Sequence, residues 1–331
     1  MDNLKSKIVV VTGASSGVGR ATAHEFAKSG AVVVMLARDR EALEAVKKEV
    51  NDLGGKGHYY ALDVSQAEEI DKAAEEIENH IGPIFCWVNN AMIGVFSPFK
   101  EMTATEFRRV TEVTYLGQIY GTMAALRYML SRNQGKIVLV GSALAYRGIP
   151  LQSAYCGAKH GIQGFFDSLR TELIHDNSNI GLTMVELPAL NTTQFEWVKS
   201  RLPNKPRPMG TIFQPEVAAR AIKYAALNDR REIYVGMPTF KSIIGNKVFP
   251  GMLDRILARS GYKGQQTDEP EDPDRKNNLW EPLSELHNTH GRFDDLAKNK
   301  STMLWVSIHW HQVWGMILAA LVLIVALIII L

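Results

Sequence analysis

The chain of 331 residues carries 37 Lys and Arg against 35 Asp and Glu, with 46% hydrophobic and 22% charged residues. That length holds one large domain or two modest ones, and the ordinary apolar content excludes disorder for most of it. A formal charge of +2 gives no reason to expect a nucleic-acid partner. The two cysteines, Cys86 and Cys156, lie far apart outside any CxxC spacing, which argues against a disulfide scaffold or a zinc site and fits a reducing compartment.

In chain order, residues 7–12 (KIVVVT) form a short β-branched run, followed at once by GASSGVG and a helical pattern that Gly30 closes. Residues 31–37 read as a second strand, 41–53 as an amphipathic helix, 58–64 as a third strand and 67–80 as a helix. Then come strand 84–89, a long helix over 103–131, strand 136–141, helix 153–175, strand 181–187, helix 215–227 and a short strand 232–235. Apolar strands alternating with helices predict a parallel sheet covered on both faces, and right-handed crossovers make it a Rossmann-type, doubly wound α/β fold of about seven strands. Ligands of such sheets bind at the carboxyl ends of the strands.

The sequence divides into a catalytic unit, 1–239, an amphipathic helical extension, 240–264, a polar linker and juxtamembrane segment, 265–312, and an apolar end, 313–331. The extension is broken by Pro250-Gly251 and suits either a membrane surface or packing against the domain or a second copy. The end reads VWGMILAALVLIVALIIIL, close to the roughly 20 residues that cross a bilayer as a helix. Trp305, Trp310 and Trp314 precede it at interfacial spacing, and Lys298 and Lys300 stand on its N-terminal flank. These features predict a single-pass C-terminal anchor with the large domain on the cytoplasmic side, and the N-terminus has no signal-peptide pattern.

Two groups of residues carry chemistry. Gly13, Ser15, Ser16, Gly17, Val18 and Gly19 fall on the first strand–helix junction, where glycines let the backbone turn tightly and the helix N-terminus attracts a pyrophosphate. At the end of the second strand stands Arg38, a cation of the kind that accommodates the extra phosphate of NADP, where an acidic residue would select NAD. NADP(H) is therefore the preferred cofactor and NAD(H) the other option. Ser142 ends the fifth strand, and Tyr155 and Lys159, four apart on the next helix, share one face. A nearby ammonium, joined by the positive nicotinamide of the oxidised cofactor, lowers the pKa of a phenol, making tyrosine usable as an acid or base toward an alcohol or carbonyl, with serine holding the reacting oxygen.

TGASSGVG over 12–19, Asp63 after the third strand, NNA over 89–91, Ser142 and YCGAK over 155–159 together resemble the short-chain dehydrogenase/reductase family, over roughly residues 7–236. The resemblance implies NAD(P)-dependent hydride transfer on a carbonyl or secondary alcohol, and a homo-oligomer, dimer or tetramer. It also implies that Asp63 and Val64 face the adenine and that Asn90 and Ala91 stand beside the cofactor. Lys159 would hold the nicotinamide ribose, and Pro188 and Thr192 would lie near the nicotinamide end. Three positions depart from the pattern: Thr114 where the family has a tetrad asparagine, Met92 for the glycine of NNAG, and Ala189 for that of Pro-Gly. With the apolar end, the expectation is a membrane-anchored oxidoreductase acting on a lipophilic substrate near membrane lipid, with 191–213 as its lid. The competing expectation is a tethered NADPH-binding sensor or scaffold with weak turnover, motivated by Thr114.

Overall fold

The computed structural model describes residues 4–316, 318 and 319. Seven parallel strands form one sheet: β1 (Ile8–Thr12), β2 (Val32–Ala37), β3 (Lys56–Ala61), β4 (Ile84–Asn89), β5 (Gly135–Val140), β6 (Ile180–Glu186) and β7 (Glu232–Tyr234). Their spatial order is β7-β6-β5-β4-β1-β2-β3, so the chain reverses direction across the sheet between β1 and β4. Alternation along β1 shows why both faces are dry. Val9 and Val11 enter one core with Phe26 and Ile222, while Ile8 and Val10 enter the other with Trp87 and Phe166.

The covering helices are α1 (Gly17–Ala27), α2 (Arg40–Asp52), α3 (Ala67–His80), α4 (Ala104–Thr111), α5 (Gly117–Ser131), α6 (Ser153–His175) and α7 (Pro215–Leu227). The expected long helix over 103–131 is continuous, but a π turn, Glu112–Leu116, separates α4 from α5 and contains Thr114. Thr103 and Glu106 start α4 with a reciprocal capping box.

The third strand differs from the expected 58–64: it runs Lys56–Ala61, and Leu62, Asp63 and Val64 follow it as a loop. Leu62 N–H still bonds Ala37 O at 2.9 Å, and Leu62 and Val64 are buried in the core with Val10 and Ile70 while also lining a cavity. The extension forms two helices, α8 (Met237–Val248) and α9 (Pro250–Gly264), parted at the anticipated Pro250.

The larger difference lies in the segment read as a polar linker. Residues Gln266–Pro270 form a strand antiparallel to Asn204–Pro206. Arg275 then donates to the carbonyls of Phe195, Glu196 and Val198, so one guanidinium binds the end of the short helix Gln194–Trp197. The expected lid is further tied down by Glu106, whose Oε1 lies 2.8 Å from both Lys199 Nζ and Arg201 Nη2. Burial raises that carboxyl's pKa, but the two cations outweigh it and hold it at about 2.

Among the described residues no helix is long and apolar enough to cross a membrane. The predicted span, 313–331, lies for the most part outside the described residues. Thr302–Ile308 forms a short helix, α10, which buries Leu304 against the domain.

Arg275→Ala strands three carbonyls that a charged donor now satisfies, and is expected to lower stability by about 2 kcal/mol. Amide exchange should accelerate over 194–206 while β1 and β4 stay protected, and a uniform change across the sheet would contradict this assignment.

Candidate active site

The reversal between β1 and β4 leaves a crevice at the carboxyl ends of the strands, and the predicted residues gather there. A cavity of about 590 Å³ is lined by Gly13, Ser15, Ser16, Gly17, Val18, Gly19, Arg38, Asp63, Val64, Asn90, Ala91, Ser142, Tyr155, Lys159, Pro188 and Thr192. Of the predicted site residues only Thr114 is not on its wall.

Close approach dictates the glycine turn. Gly13 and Gly17 have φ of 66° and 52°, where a side chain is strained. A Cβ at Gly19 would meet the Gly13 carbonyl oxygen at 2.1 Å, and one at Gly17 would meet Thr192 at 3.1 Å. Asn90 locks the turn against β4, its Nδ2 donating to Thr12 O at 2.9 Å, while Thr12 Oγ1 accepts from the Asn90 and Ala91 N–H groups. The result is a backbone cradle at the start of α1 with no side chain in it, a shape that fits a dinucleotide pyrophosphate. Gly19→Ala should abolish binding of a nicotinamide dinucleotide in calorimetry, and affinity within threefold of the parent chain would refute the cradle.

At the other end of the cavity, Ser142 leaves β5 with extended backbone, and its Oγ accepts from Leu144 N–H at 3.1 Å. Lys159, on α6, is fully buried. Its Nζ donates to Val140 O at 2.7 Å and stands 5.6 Å from the centroid of the Tyr155 ring. Burial brings the Lys159 pKa down to about 8, against a smaller opposing pull from Glu186. The Tyr155 phenol behaves oppositely: without a bound cofactor, burial holds it above its ordinary value, and the Ser142 hydroxyl offsets only part of that. The tyrosine–lysine pair alone does not acidify the phenol, which leaves that part of the expectation to the positive nicotinamide of the oxidised cofactor.

Thr114 departs from its expected part in a catalytic set. Its Oγ1 accepts from Ile93 N–H at 3.0 Å and donates to Ile93 O at 2.9 Å. The hydroxyl's single proton is thus committed to the backbone beside β4.

Arg38 also has partners that the sequence did not reveal. Its guanidinium donates to Asn278 O and Trp280 O, both at 2.7 Å. Burial lowers its pKa, with Asp63 and Glu281 opposing. The segment 278–288 is a strap laid across the dinucleotide half of the cavity. Leu279 is fully buried, Arg109 donates to Leu279 O at 3.1 Å, and Gly17 N–H donates to Asn288 O at 3.1 Å. Arg20 donates to His287 O. Ser284 Oγ donates to Asp39 at 3.0 Å, and His287 Nε2 lies 3.2 Å from the same carboxylate. Asp63 accepts from Arg109 and Ser65, which outweigh its burial and hold its pKa low. No side-chain motif announces this strap, because most of its contacts use its own carbonyls.

A doubly wound sheet with a glycine turn at its switch point and a Ser–Tyr–Lys set beside it defines a nucleotide-dependent oxidoreductase. The short chain dehydrogenase family model matches residues 7–201, and the chain belongs to that family. It is 30% identical to the uncharacterized oxidoreductase YxnA of Bacillus subtilis over 289 residues, covering 87% of this chain and 81% of that one. It is 29% identical to mouse (Mus musculus) estradiol 17-beta-dehydrogenase 11 over 257 residues, 77% of this chain and 84% of that one. A metagenomic short-chain oxidoreductase in complex with NADP superposes with a TM-score of 0.60 at 25% identity, covering 70% of this chain and 97% of that one.

Because Lys159 is buried with a pKa near 8, charging it opposes folding. Folded chains bind fewer protons than unfolded ones between about pH 8 and the ordinary lysine value near 10.4, so stability rises with pH across that window. Lys159→Met should be more stable than the parent at pH 7 by about 3 kcal/mol, and the gap should close as pH rises through the window. A gap that does not change between pH 7 and 10 would contradict the assigned charge.

Proposed function

We propose that the protein is an NADP(H)-preferring, membrane-anchored reductase or dehydrogenase of lipophilic carbonyls and secondary alcohols. The observation that carries this reading is the convergence of the glycine turn, Ser142, Tyr155 and Lys159 on one cavity with a large apolar share in its remaining wall. Leu144, Ile149, Phe195, Met209, Leu253 and Leu257 line that remainder. α8 and α9 supply part of its wall, and Phe240, Ile244, Phe249, Met252 and Ile256 are exposed on those helices. Apolar side chains both in the wall and exposed on these helices suit a substrate that arrives from lipid.

The glycine turn and the α1 N-terminus would hold the pyrophosphate, with Asp63 and Val64 beside the adenine and Arg38 meeting the 2′-phosphate. Asn90 and Ala91 would back the cofactor, and Pro188 and Thr192 would stand near its nicotinamide end. Bound NADPH supplies the hydride. For the chain's own part, the Ser142 hydroxyl donates a hydrogen bond to the substrate carbonyl oxygen and fixes it facing Tyr155. Tyr155 then gives that oxygen a proton, and Lys159 stabilises the phenolate left behind and holds the nicotinamide ribose. In the alcohol-oxidising direction the same proton returns to Tyr155.

The apolar run 313–331, together with the exposed Trp305, Trp310 and Trp314, supports anchoring with the catalytic domain on the cytoplasmic side. Oligomerisation as a dimer or tetramer belongs to the same reading. The slow-turnover sensor has one observation in its favour, the committed hydroxyl of Thr114.

NADPH oxidation against panels of steroid, retinoid and long-chain ketones should reveal turnover that Tyr155→Phe lowers at least a hundredfold without loosening NADPH. Tight NADPH binding with no ketone reduced would favour the sensor. A chain lacking 313–331 should leave lipid vesicles for the aqueous phase while the full chain stays with them, and equal partitioning would refute the anchor.

A further inference from the structure

The two helices that follow β7 carry an outer face that no described residue covers. On α8, Met237, Phe240, Ile244 and Val248 recur at helical spacing and are all exposed. On α9, Met252 and Ile256 repeat the pattern, and Phe249 is exposed at the bend between the helices. The inner side of α9 is spent on the candidate cavity, which Leu253 and Leu257 line. The outer apolar side chains have no such task within the domain.

Cations stand among these apolar residues. Lys241, Lys247, Arg255, Arg259 and Lys263 are exposed on the two helices, three or four residues from an exposed apolar neighbour or one turn beyond. Asp254 is the one acid of the two helices, and Arg147 Nη2 already bonds it at 2.6 Å. Among the described residues none of the five cations has an acidic partner. A two-fold copy of this chain seated here would set those cations against the same cations, so the face is a poor dimer surface.

The start of the apolar run lies beside the same helices. Tyr234 of β7 sets its ring edge-on to Phe240 of α8, centroids 6.2 Å apart, and its carbonyl accepts from Ser307 Oγ of α10 at 3.1 Å. Ile243 and Lys247 of α8 share one cavity wall with Trp310 and His311, which stand just ahead of residue 313. Resting on the reading of 313–331 as an anchor, we propose that the outer face of α8 and α9 is a second membrane contact, seated on anionic phospholipid. Its apolar side chains enter the boundary between headgroups and acyl chains, and its cations meet the lipid phosphates. The contact sets α9, and with it one wall of the candidate cavity, at the bilayer surface.

Cys86 and Cys156 are both buried, so Ile244→Cys takes a polarity-sensitive nitrobenzoxadiazole label selectively in the full chain. Glu44→Cys, exposed on α2 beside β3 at the opposite edge of the sheet, is the control. In vesicles of phosphatidylcholine with phosphatidylglycerol, emission from the label at 244 should shift to the blue, and less so on phosphatidylcholine alone, while the label at 44 stays as in water. Each Lys or Arg is worth about fivefold at an anionic surface, so Arg255→Gln with Arg259→Gln should weaken the contact roughly twenty-fivefold and return the label toward water. A label at 244 as wet as that at 44 overturns the proposal. So does a blue shift that follows protein density rather than phosphatidylglycerol content, which marks a second copy on the face. Flotation of the full chain with phosphatidylcholine alone reads the anchor separately, so its failure is told apart from failure of this contact.

Discussion

The site depends on one buried amine. Lys159 is held in the core by a 2.7 Å bond to the Val140 carbonyl, where burial brings its pKa to about 8. Such a charge opposes folding, and the sheet, α5 and α6 together tolerate it. Gln118 donates to the same carbonyl at 3.2 Å, so the end of β5 is fixed by two helices at once. Ser142 follows two residues later, and Tyr155 lies one helical turn before the lysine. Geometry at β5 thereby sets the geometry of all three groups.

Electrostatics divides the cavity into two halves. Around the glycine turn the walls are polar and backbone-rich, lined by Arg38, Asp39 and Asp63, while Arg20, Arg38 and Arg109 all turn toward carbonyls of the strap. Around Tyr155 they carry the larger apolar share, supplied in part by the tied-down lid and by α8 and α9. The strap links the halves, since Asn278 N–H bonds Trp197 O at 2.9 Å and Gly291 N–H approaches Asn191 O at 3.4 Å. A dinucleotide entering the site meets Arg38 already bonded to the strap carbonyls of Asn278 and Trp280.

Much of this was legible in the sequence because the sheet is buried on both faces. Continuous β-branched runs marked β1, β2, β4, β5 and β6, and the glycine turn and YCGAK fell where the strand–helix alternation put them. β3 was misplaced because KGHYYA is a half-buried edge strand with little apolar signal, whereas Leu62 and Val64, in the loop after it, are packed in the core. The strap was invisible because backbone carbonyls make its contacts, and QQTDEPEDPDRKNN reads as solvated unless Arg275's three acceptors are known. Thr114 was recognised as a departure, and only the structure showed its proton spent on Ile93.

The central claim is that a phenol made weakly acidic by burial becomes a usable acid once the oxidised cofactor's positive charge joins Lys159 beside it. Ultraviolet difference titration of the parent chain against Tyr155→Phe, with and without NADP⁺, isolates that one tyrosine. The account predicts an apparent pKa above the ordinary value of about 10 in the free chain and below it in the loaded one. A phenol that stays above 10 with NADP⁺ bound would contradict it.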